Sequence, residues 1–283
     1  MSALRLGTRG SALALAQARW VAERLGEPVE IVEITTAGDR RAGVGDKSRW
    51  TGAIEQALVA GEIDLAVHSA KDVPGELAPG TAIVAVPHRE DPRDVLVGAA
   101  SVAALRAGAR VGTSALRRRA QLLAVRADLE VVELRGNVDT RLRKLAAGEV
   151  DALVLAAAGL RRLGRDDVAY GALEGEVFVP APGQGCLLLQ AHADRRFDTV
   201  CDPDAFAALQ AERAVVARLD ASCHTPVGVH AAGGVIRAFA GLPDGSEWLI
   251  DEADGPDALA ERLLAAGAAD LLARAEAQAA PAT

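Results

Sequence analysis

Two mostly parallel α/β sheets followed by a small α+β domain are predicted by three features of this 283-residue sequence. Strand-like apolar runs alternate with helix-like runs through the first two thirds of the chain. The alternation restarts near residue 90. From about residue 204 it gives way to one long helix, three strands and a closing helix. Half of the residues are apolar, enough for a large core, and only eight are Phe, Trp or Tyr, so that core is aliphatic.

Each element follows from its local pattern. Leu4–Leu6 reads as a short strand, and residues 11–25 as a helix with Leu13, Ala16, Trp20 and Val21 on its apolar face. Pro28–Ile34 is a second strand and residues 52–59 a second helix. A strand then ends at His68, and another runs from Thr81 to Val86. After residues 87–93 come strands at Val95–Val97, Ala109–Val111, Leu129–Leu134 and Ala152–Leu155, separated by helices at 114–126, 138–147 and 157–163. The apolar run Gly185–Gln190 is a strand that can return to the first sheet. The last part holds a helix at 205–219, strands near 227–232, 235–240 and 248–250, and a helix at 256–275. The domains expected are therefore 1–87 with a return segment 183–203, then 88–182, then 204–283.

Composition removes several function classes. The formal charge is −8, which argues against general nucleic-acid binding, since that needs a net basic face. No apolar run is long enough to span a bilayer, and MSALRLGTRGSALALAQ carries Arg5 and Arg9 where an export signal needs an unbroken apolar stretch. A cytoplasmic protein is expected. Cys186, Cys201 and Cys223 form no C-x-x-C pair, which fits a reducing compartment and leaves no thiolate zinc site; no metal is expected. Neither G-x-x-x-x-G-K-[ST] nor a G-x-G-x-x-G after a strand is present, so the usual nucleotide sites are absent as well.

What the sequence does carry is a repeated junction. Gly7-Thr8-Arg9-Gly10-Ser11, Gly112-Thr113-Ser114-Ala115-Leu116-Arg117-Arg118-Arg119 and Arg135-Gly136-Asn137-Val138-Asp139-Thr140-Arg141 each place arginine where a strand ends and a helix starts. A helix N-terminus carries partial positive charge, so arginine there is mildly unfavourable alone and favourable with an anion bound. One such arginine reads as a surface residue in a weak ion pair. Three point to a ligand with several carboxylates or phosphates, bound at the carboxyl ends of the strands. HSAKDVP, residues 68–74, lies at such an edge too. Asp72 can be a turn residue before Val73-Pro74, or a carboxylate that stabilises a cationic intermediate. Cys186 reads as a small buried hydrophobe, whereas Cys223 sits in the polar loop LDASCHTPVG, where a cysteine can be reactive or merely structural.

Taken in order, RLGTRGSALALAQ, HSAKDVP, GTSALRRRAQL, ELRGNVDTRLRKL, AGLRRL, PAPGQG and LDASCHTPVGVHA resemble the hydroxymethylbilane synthase (porphobilinogen deaminase) family over residues 4 to about 232. The resemblance implies two α/β domains like type II periplasmic binding proteins, with mostly parallel sheets, plus a small α+β C-terminal domain. It implies a monomeric transferase that polymerises four porphobilinogen molecules, with loss of ammonia, into hydroxymethylbilane for porphyrin synthesis. The primer would be a dipyrromethane cofactor held by a thioether to Cys223. Asp72 matches the family's catalytic aspartate, with Lys71 beside it in the cofactor cleft. Cofactor contacts are expected from Lys71, Ser114, Arg117, Arg118 and Arg135. Substrate carboxylates are expected at Arg9, Ser11, Arg135, Arg141 and Arg162, with Trp50 offering an aromatic face at the end of a lid over residues 39–50. The chain departs from the family pattern at Ala115, where a serine is common, at Ala37, where a lysine is frequent, and at Gly52, where the lid's end commonly has lysine. The rival expectation is a two-lobed protein that binds a small anion without catalysis.

Overall fold

The computed structural model describes residues 3–40, 48–222 and 225–279. In chain order its elements are β1 (Leu4–Thr8), α1 (Ala12–Leu25), β2 (Val29–Glu33), α2 (Ala37–Arg40), α3 (Ser48–Val59), β3 (Leu65–Ser69) and β4 (Thr81–Ala85). These are followed by β5 (Asp94–Val97), β6 (Arg110–Gly112), α4 (Leu116–Val125), β7 (Glu130–Val132), α5 (Val138–Ala146), β8 (Ala152–Ala156), α6 (Ala157–Arg162) and β9 (Tyr170–Ala172). The chain closes with β10 (Leu187–His192), α7 (Pro203–Arg218), β11 (Val227–Ala232), β12 (Val235–Gly241), β13 (Trp248–Ala253), α8 (Pro256–Ala265) and α9 (Ala268–Ala279). Among the described residues no helix is long and apolar enough to cross a membrane.

The chain divides into two compact units, residues 1–90 with 183–209, and residues 91–182 with 210–283. The first holds a five-stranded sheet in the order β2-β1-β3-β10-β4. Strands β1, β2 and β3 pair in parallel, and β10 enters antiparallel between β3 and β4. The apolar run that suggested a returning strand is therefore a central strand of this sheet. Its core is aliphatic, as the scarcity of aromatic residues requires: Leu6, Val21, Leu65 and Leu189 are fully buried. Central strands packed on both faces need continuous apolar sequence, which Leu187-Leu188-Leu189 supplies.

The second unit repeats the design. Its five-stranded sheet has the order β7-β6-β8-β5-β9, with β6 parallel to β7 and β8, and β5 antiparallel to β8 and β9. In each sheet the antiparallel strand occupies the fourth position. The same unit carries a three-stranded antiparallel meander, β11-β12-β13, whose buried face packs on α8 and α9 through Val229, Ile236, Ala238, Leu259 and Leu271.

Helix α2 was not expected and α3 starts at Ser48, not at residue 52; two further elements differ from the sequence expectation. The helix expected over 256–275 is two helices, because Gly267 takes a φ of +97° between α8 and α9, a conformation that ends helices. Strand β9 has no apolar run to announce it; Gly171 lets it lie so close to Ala100 that a Cβ there would overlap the Ala100 carbonyl.

The turn that leads into β10 is closely constrained by backbone on two sides. Gly183 and Gly185 have φ of +73° and +87°. A Cβ on Gly185 would overlap the carbonyl oxygen of Glu90, and one on Gly183 would press on Ala70. The backbone N–H of Glu90 donates to Gly185 O at 3.2 Å, and that of Ala70 to Cys186 O at 3.1 Å. Gly185→Ala is expected to destabilise the chain by about 3 kcal/mol, the left-handed conformation and the overlap adding together. Urea unfolding checks it; an unchanged midpoint would show that the turn relaxes freely.

Candidate active site

In the first unit the expected residues gather at the carboxyl ends of β1 and β3. Arg9 follows β1 directly, and its guanidinium lies over the Trp50 ring, 4.1 Å from the centroid, a cation–π contact that joins the β1 junction to α3. Ser11 is the N-cap of α1, its hydroxyl accepting from the Ala14 N–H at 3.3 Å. One hydroxyl acceptor there is thus engaged in starting the helix. Strand β3 ends at Ser69, and Ala70-Lys71-Asp72 forms a single 3₁₀ turn before Val73. The Lys71 ammonium donates to Gln184 Oε1 at 3.3 Å, while Arg89 Nε donates to the Gln184 carbonyl at 2.9 Å. Gln184 is 1% exposed. The PAPGQG loop is therefore the support that orients Lys71 beside Asp72.

Beneath this corner lies His68, buried at the end of β3. Its Nε2 is 3.1 Å from Gln190 Oε1. Burial pushes the imidazole down to about 4, against the opposing pull of the Glu55 charge, the Gln190 hydrogen bond and the Asp72 charge. His68 is neutral at physiological pH.

The other unit carries its own group of expected residues. Arg117 and Arg118, the second and third residues of α4, are 5% and 7% exposed and both bind the buried carboxylate of Asp94 on β5. Arg118 donates to Asp94 Oδ1 through Nε at 3.0 Å and Nη2 at 2.7 Å, and to Val154 O through Nη1 at 2.9 Å. Arg117 Nη2 is 2.7 Å from Asp94 Oδ2, and its Nη1 donates to Gln121 Oε1 and Val179 O. Burial lowers the proton affinity of Arg117, with Asp94 opposing and Arg118 adding to the effect. The cluster holds two cations over one anion. Each guanidinium has five N–H groups and directs three of them to these partners.

The other expected residues are spread along the same sheet edge. Arg141, in the first turns of α5, donates to Gly136 O at 2.8 Å and to the Ser114 hydroxyl at 3.3 Å, so the structure brings Ser114 and Arg141 together. Arg135 pairs with Glu133 at 2.6 Å in an exposed position. Arg162 is half-buried at the end of α6 beside Arg161, which binds Asp91 at 3.0 Å. Cys223 lies outside the described residues, as do residues 41–47 of the expected lid. Among the described residues no group of three or more His, Cys, Asp or Glu side chains is gathered as a metal ion would require.

Asp94, Gln184, Gln190 and Glu55 were not identified as site residues from sequence. Their partners are 24, 113, 122 and 135 positions away, beyond any local pattern, although the acid-rich stretch Glu90-Asp91-Pro92-Arg93-Asp94 next to β5 was a signal for Asp94.

The state of His68 generates a pH prediction. An unfolded histidine titrates near 6.5 and the folded one at about 4, so between these values the unfolded chain holds more protons. This stability contribution is present in full above pH 6.5 and is lost as pH falls toward 4, by up to about 3 kcal/mol. Urea unfolding from pH 7 to 4 is expected to show a shallower loss in His68→Gln than in the unmodified chain; parallel curves would place the acid sensitivity elsewhere.

Comparisons with known proteins identify the family. A family model described as "Porphobilinogen deaminase, dipyromethane cofactor binding domain" matches residues 4–198, and one described as "Porphobilinogen deaminase, C-terminal domain" matches residues 206–266. The porphobilinogen deaminase of Geobacter sulfurreducens is 43% identical, over 96% of this chain and 95% of its own length. That of Roseiflexus castenholzii is 45% identical over 96% and 99%, and that of Roseiflexus sp. (strain RS-1) is 47% identical over 86% and 87%. Among solved structures, a periplasmic substrate-binding protein from Coxiella burnetii superposes with a TM-score of 0.40 at 15% identity, over 72% of this chain and 94% of that one. The aliphatic sulphonate binding protein SsuA from Escherichia coli gives 0.38 at 17%, over 78% and 71%. With both family models in chain order and near full-length relatives at 43% and 45% identity, the chain belongs to the porphobilinogen deaminase family.

Proposed function

We propose that the chain joins four porphobilinogen molecules head to tail into hydroxymethylbilane, and that Asp72 stabilises the cation left on each incoming pyrrole as its aminomethyl nitrogen departs as ammonia. The chain is by family a tetrapyrrole-forming transferase that carries a dipyrromethane cofactor. The observation that carries the assignment of roles is the Lys71–Asp72 turn: it stands at the carboxyl end of a central strand, and its lysine is held by a glutamine from the glycine turn behind it.

The residues fit a polyanionic cofactor. The Arg117–Arg118–Asp94 cluster sets two guanidinium groups against one carboxylate, a surplus of positive charge that suits carboxylate acceptors. Lys71, Ser114 and Arg135 would share in holding it, and Cys223 would carry the thioether. When bound, the dipyrromethane supplies the pyrrole carbon from which the chain grows. The residues' own work is electrostatic and positional. A carboxylate fixed on a rigid turn lowers the energy of positive charge developing beside it without reorganising during the reaction. Arg9, Ser11, Arg135, Arg141 and Arg162 would bind the acetate and propionate groups of the substrate and growing chain, with the Trp50 ring beside them. Exposed pairs such as Arg135–Glu133 can exchange their carboxylate for the ligand's, because such pairs are individually weak.

In this reading residues 1–87 with 183–203 carry Asp72 and the lid, residues 88–182 the carboxylate-binding arginines, and residues 204–283 the cofactor cysteine. The protein works as a cytoplasmic monomer and needs no metal, membrane or nucleic acid. Replacing Asp72 by Asn changes the charge and almost nothing of the shape. Asp72→Asn is expected to melt with the unmodified chain while the rate of pyrrole addition drops by roughly 10²- to 10³-fold. A rate close to that of the unmodified chain would remove Asp72 from the chemistry and favour a role in anion binding alone.

A further inference from the structure

The end of β3 rests on a polar network that the proposed chemistry does not use. Gln190 on β10 is fully buried, and its amide nitrogen donates both protons, to Glu55 Oε1 at 2.8 Å and to Thr81 Oγ1 at 2.8 Å. Thr81 in turn donates to Ala78 O at 2.7 Å, and the Ala78 N–H donates to Glu55 Oε1 at 3.1 Å. The amide can sit only one way, since the reverse would set its carbonyl oxygen against the Glu55 carboxylate. Gln190 Oε1 is then an acceptor and His68 Nε2 must donate to it, which fixes His68 as the Nε2–H tautomer. Four segments meet here: β3 through His68, β10 through Gln190, α3 through Glu55, and the 78–81 turn.

The backbone is adapted to this contact. Against β4 the register of β10 slips between Leu189 and Gln190, an irregularity of the kind that re-aims a side chain. Elsewhere the neighbouring strand positions are aliphatic: Val67, Leu187, Leu188 and Leu189 are all buried. A polar hub with one possible hydrogen-bond direction selects a single register in a sheet that apolar contacts alone define less sharply.

We propose that His68 is a positioning residue for Asp72: through Gln190 it fixes where β3 ends, and hence where the Lys71–Asp72 turn begins, one 3₁₀ turn further on. The inference rests on the reading of Asp72 as the catalytic carboxylate.

The test compares His68→Phe, His68→Asn, His68→Gln and Asp72→Asn in the full, cofactor-loaded chain. Glutamine's amide nitrogen reaches the position of Nε2, whereas asparagine's reaches only that of Nδ1. The measurements are kcat and KM for porphobilinogen, melting temperature, and the lengths of enzyme-bound pyrrole chains by intact mass. The expected result is a loss of about 10- to 100-fold in kcat for Phe and Asn, the size a small misplacement produces. KM should stay within about twofold, short chains should accumulate, and Gln should recover most of the rate, since it restores the hydrogen bond without the imidazole. If the Phe variant does not fold, the Asn–Gln comparison decides. An inactive Asp72→Asn beside fully active His68→Phe and His68→Asn would overturn the positioning role alone. So would Asn and Gln variants of equal activity. Full activity of Asp72→Asn would overturn the reading of Asp72, and this inference with it.

Discussion

The first unit depends on the insertion of one strand, β10, between β3 and β4. Its pairing closes the sheet, and the turn before it and the side chain within it both act on the same corner. The glycine turn delivers Gln184 to Lys71 and lets Glu90 and Ala70 pack against bare backbone; three residues into the strand, Gln190 takes hold of His68. A side chain larger than hydrogen at Gly185 or an apolar one at Gln190 would disturb the same place from opposite sides. The site's rigidity is thus a property of strand order: without the returning strand, β3 would end in a loop with no support behind Lys71 and Asp72.

The electrostatic design resolves an apparent conflict. An acidic chain handles a polyanion by concentrating cations at strand ends while pairing most of its other arginines internally. The pairing differs in depth. Arg117 and Arg118 are buried on a single carboxylate, an arrangement in which geometry is fixed before any ligand arrives and in which removing Asp94 would leave two like charges facing each other. Arg135 sits in a solvent-exposed pair that costs little to break. In the proposed function a product that lengthens by two carboxylates per step would use both kinds: fixed donors for the end that stays, exchangeable ones for the part that grows.

The strand and helix pattern was legible because the core is aliphatic and its central strands are continuous apolar runs; Leu187-Leu188-Leu189 announced a returning strand without any knowledge of its partners. The position of Lys71 and Asp72 at a strand end was equally legible. Strand β9 was not, since Tyr170-Gly171-Ala172 is short and is held by backbone closeness rather than by an apolar face. The split at Gly267 could have been read from the glycine, but the surrounding alanines gave no break in helical propensity. Within the candidate site, the motifs singled out arginines as candidates but gave no sign of their partners. An ion pair between Asp94 and Arg118, or a hydrogen bond between His68 and Gln190, joins residues that only the sheet order brings together.

The claim that this chain builds tetrapyrrole on a primer carried by Cys223 is decided by the intact mass of the purified protein beside that of a Cys223→Ala variant. The unmodified chain should be heavier than its sequence by one dipyrromethane, and the variant should match its sequence. If neither carries an adduct, and added porphobilinogen does not load the unmodified chain, the claim is wrong.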